Sequence, residues 1–100
     1  MILIRLIFQA KHGKVKEVVA GFKQSAVIAR EVAGQNARDR LLTDLSGPFN
    51  TVGQEVELES LAEWQRVRAA LFSNPQFQQA HAASADLIES GRAEFYTIEA

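Results

Sequence analysis

Ile2-Leu3-Ile4-Arg5-Leu6-Ile7-Phe8-Gln9 is short, rich in β-branched residues and apolar on both alternating faces. That pattern belongs to a central strand covered on each side rather than to an edge strand. Gly13, in Lys11-His12-Gly13-Lys14, ends the run. Beyond it, Val15, Val18, Val19, Phe22, Ala26 and Ala29 recur at intervals of three and four, with Lys14, Lys16, Glu17, Lys23 and Arg30 on the other side. This spacing predicts a helix of about 20 residues, stopped at Gly34.

Two alternating segments follow, Arg38 to Leu45 and Thr51 to Glu59, around the turn residues Ser46-Gly47-Pro48-Phe49, and they predict a hairpin. Its register follows from charge. With Leu45 opposite Asn50, Arg40 faces Glu55 and Arg38 faces Glu57, whereas a one-residue slip sets Asp39 against Glu57. Leu41, Thr43, Leu45, Val52, Gln54, Val56 and Leu58 then share the other, mostly apolar face.

Ser60-Leu61-Ala62-Glu63 has the form of a capping box at the start of a second helix, whose apolar positions are Leu61, Trp64, Leu71 and Phe72 with the alkyl stem of Arg68. Asn74-Pro75 restarts the helix with a cap and an N1 proline. Phe77, Ala80, His81, Ser84, Leu87 and Ile88 carry its stripe to Gly91, and Arg92 to Glu99 reads as the last strand. The order βαββαβ makes the protein α+β and ferredoxin-like, a four-stranded antiparallel sheet with its helices on one face. Neither face of the first strand is polar enough for water, so the uncovered sheet face is expected to pack on a second copy.

At 100 residues and 11.1 kDa the chain is read as a single domain, 1–100. It has no cysteine, which excludes a disulfide framework, a thiolate zinc site and a cysteine nucleophile. The run from Met1 to Phe8 is too short to span a membrane and lacks the layout of a signal peptide, so a cytoplasmic protein without membrane partner is expected. Residues 1–40 hold eight basic and three acidic side chains, net +5, and residues 41–100 hold three and nine, net −6. The strand register lets these halves neutralise each other, and no aromatic–basic pattern accompanies the lysines, so no nucleic-acid partner is expected.

Lys11-His12-Gly13-Lys14, Leu45-Ser46-Gly47-Pro48-Phe49, Glu59-Ser60-Leu61-Ala62-Glu63-Trp64, Leu71-Phe72-Ser73-Asn74-Pro75-Gln76-Phe77 and Glu89-Ser90-Gly91-Arg92 together resemble the dimeric α/β-barrel superfamily, and most of all its NIPSNAP-like members. The resemblance runs the length of the chain, departing at His12, where proline is expected before the glycine. It implies a homodimer whose two sheets form a barrel and a ligand cleft between sheet and helices. Activities in the superfamily include cofactor-free monooxygenases, isomerases and haem-degrading enzymes, so the fold alone selects none of them. Asn74 to His81 is similar to the segment carrying the iron-ligating histidine of the haem-degrading relatives. Their strand-one asparagine and late-helix tryptophan correspond here to Leu6 and Leu71, with Trp64 two turns too early. No haem or other cofactor is expected.

His12 and His81 have no metal-ligand spacing, and no metal site is expected. Trp64, Phe72 and Phe77, with His81, are the residues expected to grip a flat apolar ligand; the same aromatics would otherwise be core. The catalytic candidates are His81, Tyr96 and the Arg40–Glu55 pair, in which desolvation would raise the Glu55 pKa unless Arg40 offsets it. The expected function is binding of a small apolar or aromatic molecule by a homodimer of no established activity. The alternatives are a cofactor-independent monooxygenase or isomerase using the same pocket, and a purely structural or regulatory dimer with that space filled.

Overall fold

The computed structural model describes residues 1–34 and 38–100. Its elements run β1 (Ile2–Ala10), α1 (Val15–Ala33), β2 (Arg38–Thr43), β3 (Thr51–Leu58), α2 (Leu61–Phe72), α3 (Pro75–Ala85) and β4 (Ile88–Thr97). The four strands form one antiparallel sheet in the order β2-β3-β1-β4. The apolar strand β1 is therefore central, as its composition requires, and the topology is ferredoxin-like.

The hairpin register is the one that charge complementarity selects: Arg38 pairs with Glu57 and Arg40 with Glu55. Pairing stops at Thr43 opposite Val52, two residues before the predicted strand end. Asp44 turns the chain there, its carboxylate accepting the Thr51 amide at 3.0 Å. Leu45 is consequently fully solvent-exposed instead of lying on the apolar face.

The starts of α2 and α3 are capped by side chains, whereas that of α1 is not. Ser60 Oγ accepts from the Glu63 amide and Asn74 Oδ1 from the Phe77 amide, each at 3.1 Å. The Glu63 carboxylate does not reach back to complete a capping box; it takes the Arg66 Nε–H at 3.2 Å instead. On α2 the deeply buried positions are Val67 and Leu71, while Leu61 and Phe72 are exposed. The third helix ends at Ala85, six residues short of the predicted stop at Gly91. Leu87 and Ile88 pack instead beside Ala10, Val18 and Val52, and Gly91 lies in β4 opposite Phe8.

Alternation sorts the sheet into two faces. Ile4, Leu6 and Phe8 of β1, with Val52, Val56 and Leu58 of β3, share the face carrying the helices. Phe8 meets Phe22 of α1 edge-on at 5.2 Å, and Trp64 of α2 meets Phe95 of β4 at 6.5 Å. The buried side chains form separate clusters, Ala10–Val18–Val52 and Ile28–Val67–Leu71. No helix among the described residues is long and apolar enough to cross a membrane.

Candidate functional site

Between the inner sheet face and the helices lies a cavity of about 670 Å³. Val67 and Leu71 of the second core cluster line it together with Phe22, which packs on the first, so the space sits between the two clusters. Leu6, Phe8, Gln54, Val56 and Phe95 form its floor, and Phe22, Trp64, Leu71, Phe72 and Phe77 stand among its walls.

All four residues singled out for ligand contact, Trp64, Phe72, Phe77 and His81, line this cavity. Phe72, Phe77 and His81 form one aromatic group: the imidazole stacks on Phe77 with ring centroids 5.9 Å apart and meets Phe72 edge-on at 5.3 Å. The Asn74 cap fixes the start of α3 and so sets where Phe77 and His81 project. His81 is an exposed residue that faces the cleft, not the core stripe in which the helical spacing placed it. The Arg68 guanidinium lies 5.0 Å from the Phe72 ring centre, so its cation covers that ring rather than merely lending its alkyl stem. Arg30 closes another part of the wall with two hydrogen bonds of 3.2 Å to Asp39.

Tyr96, Arg40 and Glu55 are not brought to the cavity with His81. Phe95 points inward, so Tyr96, its neighbour on a strand, points outward, where its ring lies 5.7 Å from the Arg5 guanidinium. Glu55 shares that outer face. Its side chain is only 3% exposed because two arginines enclose it. Arg5 Nε donates to Oε2 at 2.8 Å, and Arg40 Nε and Nη2 donate to Oε1 at 3.0 and 2.6 Å. Glu94 extends the row, 3.8 Å from Arg5 and 3.2 Å from Arg92. The outer face therefore carries a line of paired charge among Leu3, Ile7, Leu42 and Tyr96, and is less apolar than β1 alone implied. Several of these pairs join the basic first part of the chain to its acidic remainder.

Desolvation pushes the Glu55 pKa up, but the hydrogen bonds and charges of Arg40 and Arg5 outweigh it and hold the carboxyl below its ordinary value of 4.5. That makes Glu55 a poorer base, the reverse of what a catalytic carboxylate near neutral pH needs. A carboxyl whose pKa is lowered by folding stabilises the fold fully above its unfolded pKa and loses that contribution as pH falls through the folded one. Urea unfolding should thus show stability dropping below about pH 4.5, with a shallower drop in Glu55→Gln. Identical slopes in the two proteins would assign the acid sensitivity elsewhere.

Among the described residues no group of three or more His, Asp or Glu side chains is placed to hold a metal ion. The lining residues not singled out from the sequence include Phe8, Phe22, the Arg30–Asp39 pair and the serines Ser25 and Ser84. The inward parity of β1 could have found Phe8; the others come together only through tertiary packing.

No family model matches this chain, and no curated protein does. Solved structures do. A NIPSNAP domain protein from Burkholderia xenovorans is 22% identical with a TM-score of 0.84, over 100% of this chain and 96% of that one. A NIPSNAP family protein from Agrobacterium tumefaciens is 19% identical with a TM-score of 0.84, over 98% and 86%. SnoaB, a cofactor-independent oxygenase from Streptomyces nogalater, is 17% identical with a TM-score of 0.74, over 99% and 93%. What this chain shares with them is the ferredoxin-like fold.

Proposed function

We propose that this NIPSNAP-like protein binds a small apolar or aromatic molecule in the cavity between its sheet and helices, as a cytoplasmic homodimer. One observation carries the reading: about 670 Å³ of space walled mainly by aromatic and aliphatic side chains, with few polar groups, is what a small-molecule site requires. A purely structural dimer would use Trp64, Phe72 and Phe77 to fill that space, and they border it instead. For the dimer, the support is the outer sheet face. Its charges are already paired within one copy, so covering them leaves none alone, while Leu3, Ile7 and Leu42 gain burial. A native mass spectrum dominated by twice 11.1 kDa is the expected result, and a monomer alone would remove the dimer.

Trp64 is the sole tryptophan and borders the cavity, so its emission reports occupancy. Titration with 1-naphthol should quench it saturably. In Ala93→Phe, where a ring enters the same space, binding should weaken by about tenfold or more. Linear, non-saturating quenching, or equal affinity in the variant, would contradict the reading.

The second reading is a cofactor-independent monooxygenase or isomerase, and what favours it is His81. Its imidazole is a titratable group on the wall of an apolar cavity, able to take the proton of a bound phenol. His81→Ala should then lose turnover of a polycyclic phenol while remaining dimeric. Unchanged turnover would exclude His81.

A further inference from the structure

We propose that Ser25 of α1 and Ser84 of α3 form the polar anchor of the cavity, receiving a hydroxyl or keto oxygen of an otherwise aromatic, uncharged ligand. This rests on the ligand-binding reading above and names the group on the ligand that the site recognises.

Both serines line the cavity, yet they are 8% and 5% exposed. No hydrogen bond holds either hydroxyl among the described residues, unlike that of Ser73, which donates to the Ala69 carbonyl one turn back at 2.9 Å, and neither oxygen is sealed in without a partner, so both open on the cavity. A hydroxyl that opens on a largely apolar cavity keeps its hydrogen-bonding capacity for whatever occupies that space. A ligand oxygen can reach them from the cavity, and because a hydroxyl both donates and accepts, the pair suits a phenol or a ketone.

The helix crossing adds a second observation. Gly21 lies inside α1, where glycine is disfavoured relative to alanine. A Cβ there would stand 2.5 Å from Ser84 Oγ. The glycine thus leaves room for the Ser84 hydroxyl one turn before Ser25, bringing the two serines to the same part of the α1–α3 seam. Both anchor groups are uncharged hydroxyls, and of the cations bordering the cavity Arg30 is paired with Asp39 while Arg68 lies over the Phe72 ring of the wall. The anchor is therefore matched to a neutral oxygen rather than a carboxylate.

The test compares naphthalene with 1-naphthol, read by Trp64 quenching, in the parent protein and in the Ser25→Ala/Ser84→Ala double variant. The preference for 1-naphthol over naphthalene should fall by about tenfold in the double variant, with naphthalene affinity kept. Gly21→Ala, which displaces the Ser84 hydroxyl without removing it and favours the helix, should reduce the same preference. An unchanged preference in the double variant, with both probes still binding, overturns the anchor while leaving the ligand cavity in place. Absence of saturable quenching by either probe in the parent overturns both.

Discussion

Ile4→Ala is expected to unfold about 3 kcal/mol more easily than the parent protein, within the usual range of about 2–5 kcal/mol for such truncations. Ile4 is fully buried within the interior strand β1, between Val56 of β3 and Phe95 of β4. Truncation removes its transfer free energy and leaves a hole that a strand paired on both sides cannot close. The loss is large for a domain whose total stability is on the order of 5–15 kcal/mol. In melting temperature it corresponds to roughly 12–24 °C at this chain length. Leu45→Ala is the control: the same chemistry at a fully exposed turn position should change stability by less than about 0.5 kcal/mol. Urea unfolding at fixed protein concentration distinguishes the two. A cost below about 1 kcal/mol for Ile4→Ala would mean that the packing around β1 is not as described.

Gly91→Val should destabilise by about 2 kcal/mol, though valine is the better strand former. Gly91 pairs with Phe8, and a Cβ at this position would stand 2.7 Å from Phe8 Cδ1 and 2.9 Å from Cε1. The ring lies over the bare backbone and has little room to retreat, because its other side meets Phe22 edge-on. Phe8→Leu should relieve the clash, so the double variant should be more stable than the sum of the single losses allows. Strict additivity of the two changes would show that the Phe8 ring is not what excludes a side chain at Gly91.

Glycine at this position also explains the largest misreading of the sequence. Leu87 and Ile88 continue the helical phase of Phe77, Ala80 and Ser84, and a glycine three residues later resembles a helix stop. The same residues serve equally well as the start of a strand, and short apolar runs do not distinguish the two. The choice is made by β1, which offers an unpaired edge and an aromatic ring that only glycine can sit beneath. The hairpin was more legible because its register is set by residue types facing one another: arginine opposite glutamate in one register and like charges in the other.

For the site, large aromatic side chains were legible and small polar ones were not. Trp64, Phe72, Phe77 and His81 cover enough surface to mark a cavity wall wherever the helices sit. Spacing places Ser84 on the stripe of its helix but nothing local marks Ser25, and that the two serines reach one cavity emerges only when α1 crosses α3. Tyr96 and the Arg40–Glu55 pair were recognisable as chemistry but lie across the sheet from the cavity. A strand alternates strictly, so with Phe95 inward Tyr96 had to face out, and the inward Gln54 likewise turns Glu55 outward.

The central claim is that the cavity, not the outer sheet face, is where this protein meets a small molecule. Two-dimensional amide NMR during titration with 1-naphthol tests it most directly. Saturable shifts should concentrate on residues bordering the cavity, such as Ser25, Trp64, Phe77, His81 and Ala93, with Leu3, Arg40 and Leu42 on the outer face left unmoved. Shifts confined to the outer face, or none at saturating probe, would contradict the account.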